Sequence, residues 1–553
     1  MITKIALLGN YATQFLKVAI QKSAKKMALE IEIYEGEYDQ TDMEIINEHA
    51  ELYKFQPDYI FIHESIIAAQ DLYYSLPETR QSYFAEDYIS HLEMITTNIS
   101  TRLPKAKIIY PTLELQHDNV FGNYYAKVNT SFGYQINKLN WLITDHSHKN
   151  NNFFLIDSNQ LFMAAAPKRE WQLIVNADWH FNPDFTNALA DSFINLIKVA
   201  NGHFKKCLIL DLDNTLWGGI IGDDGIENIE IGTLGIGKAF TKFQKWIKAL
   251  KNRGIILAVC SKNTAHIAKE PFEKHPEMEL RLEDIAVFVA NWDNKADNIR
   301  YIKSVLNIGF DAMVFIDDNP MERQLVRENI PEITVPEIPE DPALYLPYLI
   351  EANLFETFSY SANDKDRTAQ YQEEAERSML AKSITNIDEY LASLNMKADI
   401  EPFTKTNYSR IAQLTQRSNQ FNLRTIRYTE QDIERIANDK NYLTYSVKLK
   451  DKFGDYGLIS LVIINLQNPQ EAFIDTWIMS CRVLKRGVEH FLINKIAAEL
   501  SSFVKLKGEY IETPKNGLVK NLLPELGFIS IDTNKFELNI STFTPHKTYI
   551  TNE

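Results

Sequence analysis

Over the first two hundred residues, short apolar runs alternate with amphipathic stretches. "KIALLGN", "EIEIYEG", "PDYIFIHES", "AKIIYPTLE" and "NNFFLIDSN" read as strands, with helical stretches between them. The first helix falls over 12–27; an amphipathic helix over 184–199 closes the unit and "NGHFKK" leads out of it. Strands alternating with helices predict a parallel, doubly wound sheet. The pattern restarts at 205 with the strands "CLILDLD", "GIILAVCS", "IAVFVAN", "AMVFID" and "EITVPE", and helices near 238–252, 264–273, 294–306 and 320–328. The Pro-rich stretch "VPEIPEDPALYLP" then breaks the alternation. A charged helix over 363–382 reads as a connector.

From 385 onward the pattern changes. A helix over 386–394, the strand "KADIEPF" and a helix over 407–416 precede "TYSVKLKD", "YGLISLVIIN" and "EAFIDTWIMS". The last two predict an antiparallel hairpin. A helix over 488–503, "GEYIETP" and "LGFISI" follow. The expected class is therefore multidomain α/β: an α/β domain over 1–202, a central parallel-sheet domain over 203–345, a linker with connector helix over 346–384, and an α+β domain over 385–553.

Composition narrows this little. A chain of 553 residues is too long for one core. Its 45% hydrophobic and 24% charged content is ordinary for a soluble protein, and no apolar run reaches the roughly 18 residues of a membrane span. "MITKIALLGNYATQ" has neither a charged leader nor a cleavage site, so a cytoplasmic location is expected. Cys207, Cys260 and Cys481 are too sparse for a disulfide framework or a zinc cluster. A net charge of −16 speaks against non-specific nucleic-acid binding.

The chemistry concentrates in "LILDLDNTLWGG", where Asp211 and Asp213 end an apolar strand. Ligands sit at that edge of open α/β sheets. Neighbouring carboxylates repel unless a cation or proton neutralises them, and Mg²⁺ with phosphate oxygens is the natural neutraliser. Three further blocks share the edge: Ser261 in "LAVCSKN", with Lys262 and Asn263 after it; Lys295 opening a helix in "NWDNKADNI"; and Asp317 and Asp318 in "VFIDDNPMER". Glycines after Trp217 suit a tight flap beside the site. The intervals between blocks leave little room for a large lid, so either the site is open to a bulky substrate or another domain covers it.

Asp, Ser, Lys and Asp in this order resemble the haloacid dehalogenase superfamily. The resemblance implies Asp211 as the nucleophile forming an aspartyl-phosphate, Asp213 as general acid and base, Thr215, Ser261 and Lys295 around the phosphate, and a metal held by Asp211, Asp213, Asp317 and Asp318. "LDLDNTLWGGIIGDDG", "FIDDNPMERQLVRENIPEITVPEIPEDP", "RSNQFNLRT" and "MSCRVLKRGVE" are similar, more narrowly, to the FkbH-like subfamily over residues 203–530. That implies a glyceryltransferase and phosphatase: it takes the phosphoglyceryl group of 1,3-bisphosphoglycerate, removes the phosphate and delivers glycerate as a thioester to an acyl carrier protein. A plain phosphatase or phosphotransferase on a small phosphorylated metabolite, for instance in surface-polysaccharide assembly, is the competing expectation; a non-catalytic scaffold is a third.

The acyl-carrying cysteine that the resemblance implies is Cys481 or Cys260, with Cys207 in mid-strand reading as core. Cys481 lies beside Arg482, Lys485 and Arg486 before a helix, a setting that lowers a thiol pKa. That strand–loop–helix is similar to the acyl-CoA-binding segment of GNAT acetyltransferases, with Arg482 and Gly487 in matching places and Lys485 where a glycine is usual. Lys485, Arg486, Lys505 and Lys507 are candidate contacts for an acidic carrier. The N-terminal domain resembles SGNH hydrolases: Gly9-Asn10 follows the first strand, and Asp178 and His180 precede a helix. Asn10 and Tyr11 follow Gly9 with no serine where the nucleophile belongs, and Asp178 and His180 are one residue closer than that family's usual spacing, so a docking or lid module without a nucleophile is expected there, with a working esterase as the alternative.

Overall fold

The computed structural model describes residues 2–115, 118–164, 171–360 and 386–552, so the connector helix expected over 363–382 lies outside the described residues. The chain forms two compact units, Met1–Lys198 and Val199–Glu553. Among the described residues no helix is long and apolar enough to cross a membrane.

In the first unit the strands β1 (Thr3–Gly9), β2 (Ile31–Glu35), β3 (Tyr59–His63), β4 (Lys107–Pro111) and β5 (Phe153–Ile156) form a parallel sheet in the order β2-β1-β3-β4-β5. β3 and β4 are buried along their whole length, while β2, at the edge, is half-buried. This is what strands covered on both faces require: continuous apolar runs in the centre. β1 pairs with β2 on one side and β3 on the other, from Thr3↔Ile31 and Ile5↔Tyr59. Connections therefore leave β1 and β3 in opposite directions, and a crevice opens beyond their carboxyl ends.

The second unit contains two sheets. β6 (Cys207–Leu210), β7 (Ile256–Ser261), β8 (Ile285–Ala290) and β9 (Met313–Ile316) are parallel in the order β8-β7-β6-β9. One face packs Leu208, Leu210, Leu257 and Val259 against helix Gly237–Asn252; the other packs Cys207, Ile209, Ala258 and Cys260 against helix Lys295–Leu306. The expected fifth strand, "EITVPE", makes only the bridge Val314↔Thr334. Pro331 and Pro336 flank it, and proline has no N–H to extend a ladder.

The remaining strands, β10 (Lys397–Glu401), β11 (Tyr442–Lys450), β12 (Asp455–Asn465), β13 (Glu471–Met479), β14 (Lys505–Glu509), β15 (Ile529–Asp532), β16 (Lys535–Asn539) and β17 (Thr551–Asn552), make a mixed sheet in the order β15-β16-β14-β13-β12-β11-β10-β17. The expected hairpin is the antiparallel pair β12–β13. β13 and β14 pair only at Glu471–Phe473 with Lys505–Lys507 and then part. The segment Phe421–Leu423 fills the gap: Leu423 N–H donates to Trp477 O, Met479 N–H to Phe421 O, and Ile511 N–H to Leu423 O. The motif "RSNQFNLRT" thus completes a split sheet.

Candidate active site

The ladder β6–β9 brings Leu210 level with Ile316. One residue later, Asp211 and Asp317 emerge side by side at the carboxyl edge, and Asp211 N–H still donates to Ile316 O at 3.0 Å. Helix Lys295–Leu306, capped by the Asn294 side chain on Ala296 N–H, sets its first residue between them. Lys295 Nζ lies 2.6 Å from Asp317 Oδ2 and 3.0 Å from Asp211 Oδ1. Lys295 is 3% exposed, Asp211 7% and Asp317 0%. Burial opposes the ammonium charge, but Asp211 and Asp317 outweigh it and raise the Lys295 pKa. Burial, then the Asp211 charge, raises Asp317 and Asp318.

Carboxylate oxygens of Asp211, Asp317 and Asp318 lie within 4.8 Å of one another. The Asp211 Oδ1 contact with Lys295 lacks hydrogen-bond geometry, leaving that buried oxygen without a hydrogen-bond partner among the described residues. Three carboxylates around one ammonium retain excess negative charge, and hard oxygen donors at this spacing fit a small divalent cation. Thr215, fully buried, accepts from Asp318 N–H at 3.1 Å and fixes that loop.

The Asp213 carboxylate stands apart from this cluster. Its Oδ1 accepts from Trp217 Nε1–H and Ile221 N–H, both at 3.0 Å, and its Oδ2 accepts from the Asn263 amide at 3.1 Å. Metal ligation by the Asp213 side chain, expected from the sequence, does not match this placement, because all three contacts are donors that hold the group toward the flap. Burial raises its pKa. The flap turns tightly: Asn214 takes φ +53° and Gly219 φ +93°, where a Cβ would sit 2.7 Å from Asp224 Oδ2.

Ser261 is buried at the end of β7 on the same edge. Lys262 is paired with Glu322 at 2.6 Å, and Asn263 serves Asp213. Two residues that the sequence pattern did not single out hold the constellation. Trp217 braces Asp213, and Arg323 donates to the carbonyls of Asp317 and Asp318 at 2.8 and 2.7 Å while pairing with Glu337. Only their place within the quoted motifs hinted at them, since each braces carboxylate-bearing residues of its own motif, four to six positions away.

The cysteines separate. Cys207 and Cys260 are both fully buried on the helix Lys295–Leu306 side of the central sheet. Burial pushes the Cys260 thiol up to about 12, and its Sγ lies 3.7 Å from Lys295 O. A thiol so placed is a poor nucleophile, which counts against Cys260 as an acyl carrier. Cys481 opens the turn Cys481–Val483, and its side chain lies outside what the structure describes. Beside it, Arg482 Nε donates to Ser480 Oγ at 3.2 Å, and Gly487 caps helix Val488–Glu499 at φ +74°.

Ser480 and Arg482 line a cavity of about 300 Å³ with Lys206, Arg417 and Lys515. Lys206 precedes β6 and Asp211 follows it, so this cleft and the carboxylate cluster occupy opposite ends of one strand, about 16 Å at roughly 3.3 Å per residue. Of the candidate carrier contacts, Lys505 and Lys507 pair with Glu537 and Glu471 on neighbouring strands, and Arg486 is buried over the Tyr456 ring.

Comparison with known proteins agrees with the geometry. The family model described as FkbH, N-terminal domain, matches residues 4–198. The solved N-terminal part of the protein BF1531 from Bacteroides fragilis, which contains a phosphatase domain and is complexed with Mg, is 46% identical, with a TM-score of 0.62 over 65% of this chain and 95% of that one. The ribosomal-protein-S18-alanine N-acetyltransferase from Escherichia coli also matches, at 15% identity and a TM-score of 0.21, over 27% of this chain and 98% of that one. Among curated proteins none matches. The chain belongs to the FkbH-like family, with a central phosphatase domain of the haloacid dehalogenase type.

Proposed function

We propose that the protein is a Mg²⁺-dependent phosphohydrolase acting through an aspartyl-phosphate, on the domain plan 1–202, 203–345, 346–384 and 385–553. The observation that carries this reading is the convergence of three carboxylates and a buried ammonium at one sheet edge. The Mg of the BF1531 structure supports the choice of cation. Asp211, Asp317 and Asp318 would hold it, and when bound it supplies positive charge to the transferring phosphoryl group.

An Asp211 oxygen attacks phosphorus, the bond to the leaving oxygen breaks, and Asp213, whose pKa burial raises, gives that oxygen its proton. Asp213 then takes a proton from water; the water oxygen attacks phosphorus and Asp211 is released. Lys295 and Ser261 steady the phosphoryl oxygens. Trp217, Ile221 and Asn263 keep Asp213 oriented through both proton transfers.

The substrate we favour, from the family, is the phosphoglyceryl group of 1,3-bisphosphoglycerate, with glycerate passed as a thioester through Cys481 to an acyl carrier protein. The cationic cleft beside Cys481 supports an anionic or phosphopantetheine-bearing ligand there. A phosphatase needing no cysteine is the second reading, favoured by the core placement of Cys260. Incubation with 1,3-bisphosphoglycerate and Mg²⁺ followed by intact-protein mass measurement separates the two. A glyceryl adduct lost in Cys481→Ala supports transfer; phosphate release without an adduct supports the second reading.

A further inference from the structure

The first unit holds a hydrogen-bonded relay that phosphoryl chemistry does not use. Ser65 ends the turn after β3 and caps helix Ile66–Ser75, its Oγ accepting from Ile67 N–H at 3.1 Å. The same Oγ lies 2.6 Å from Nδ1 of His180. Nε2 of His180 lies 2.7 Å from Asp178 Oδ1, and the Tyr38 hydroxyl donates to Asp178 Oδ2 at 2.8 Å. One tautomer satisfies the whole chain: Nε2–H donates to Asp178, and Nδ1 accepts from the Ser65 hydroxyl. Asp178 holds φ +52°, a left-handed conformation costly for a residue with a Cβ. Serine, imidazole and carboxylate in sequence define a nucleophile, its base and the group that orients the base.

The relay sits where this sheet order opens a crevice, beyond the carboxyl ends of β1 and β3. A cavity of about 410 Å³ lies there, with Asn10 and Glu64, the latter adjacent in sequence to Ser65, in its wall. Asn10 Oδ1 accepts from Ser65 N–H at 2.9 Å, tying the cavity wall to the serine. Ala68 and Leu72 give the cavity an apolar side; Asp39 and Glu64 add carboxylates, and Asp42 and Asp87 line it paired with His91 and Arg80.

We propose that Ser65, His180 and Asp178 form a second hydrolytic site, acting on short-chain carboxylic esters that are neutral or cationic. Ser65 Oγ attacks the ester carbonyl carbon as its proton passes to His180 Nδ1. The tetrahedral adduct collapses, the carbon–alkoxide bond breaks, and His180 returns the proton to the departing alcohol. Water then attacks the acyl-serine, losing a proton to His180, and the acid leaves as Ser65 is reprotonated. The acidic cavity disfavours phosphorylated substrates, so this activity is separate from the phosphatase reaction. Ser65 is 0% exposed, so the acyl group reaches it only by displacing the wall of Asn10 and Glu64, and turnover is slow.

The test treats the full-length protein with a fluorophosphonate probe and maps the adduct by peptide mass spectrometry, alongside p-nitrophenyl acetate and butyrate hydrolysis. The expected adduct is on Ser65, and both labelling and ester hydrolysis fall at least a hundredfold in His180→Gln and Asp178→Asn, each checked for folding by circular dichroism. Mapping in the unmodified protein needs no variant to fold. Absence of an adduct on Ser65, or labelling of Ser65 that is unchanged in His180→Gln, overturns the proposal and leaves the relay as a structural tie between β3 and the segment at 178–181.

Discussion

His63 ends β3 with its Nδ1 at 2.5 Å from the Tyr11 hydroxyl and its Nε2 buried with no hydrogen-bond partner among the described residues. Burial, with a smaller contribution from His180, lowers its pKa to about 3. The unfolded chain takes up this proton near pH 6.5, so between about 6.5 and 3 the unfolded state binds more protons and stability falls as pH falls. At pH 5 the loss amounts to about 2 kcal/mol. Thermal unfolding compared at pH 7.5 and 5 checks this: His63→Gln is expected to reduce the acid sensitivity, and an undiminished drop in the variant would contradict the assignment. At this scale the sequence was legible where chemistry is local. Asp211, Asp317 and Lys295 announce themselves because a strand end or helix start carries each. Ser65 does not, because it meets His180 across 115 positions; Trp217 and Arg323 hold partners only four to six residues away, but neither residue type by itself signals that bracing role.

At the scale of elements, apolar periodicity was enough for the strands of both parallel sheets, because buried central strands must be apolar throughout. It failed at "EITVPE", where hydrophobic content mimicked a strand that the flanking prolines prevent. It also failed at β16 and β17, whose short sequences, the first only partly buried and the second exposed, carry little alternation. The split between β13 and β14 was equally hidden, since the Phe421–Leu423 segment that fills it is an irregular stretch in sequence. Asn516 clamps this join. Fully buried, it donates to Asn422 O at 3.0 Å and Ile511 O at 2.9 Å, and accepts from Thr513 N–H at 2.8 Å. Asn516→Ala strands three backbone groups, one of them fully buried, and is expected to destabilise the second unit by about 1–3 kcal/mol, read from urea unfolding followed by circular dichroism. A loss under 0.5 kcal/mol, on the order of a surface substitution, would show that the join does not depend on it.

At the scale of the molecule, the second unit carries its carboxylate cluster and its cationic cleft at opposite ends of β6, separated by the strand itself. Under the proposed transfer reading, a group dephosphorylated at one end would reach the cleft at the other only by release and rebinding or on a carrier arm that spans the distance. The net charge of −16 places the burden of binding any acidic carrier on local basic residues; Lys505 and Lys507 pair with Glu537 and Glu471, and at the cleft Lys515 pairs with Asp311 while Lys206 and Arg417 donate to backbone carbonyls. All of this depends on Asp211 being the phosphoryl acceptor. The most direct test is phosphate release from 1,3-bisphosphoglycerate or p-nitrophenyl phosphate by the wild type and by Asp211→Asn, each with Mg²⁺ and with EDTA. Release that needs Mg²⁺ and falls at least a thousandfold in Asp211→Asn, with the variant folded, is the expected result; release that persists in the variant or is indifferent to EDTA would contradict the account.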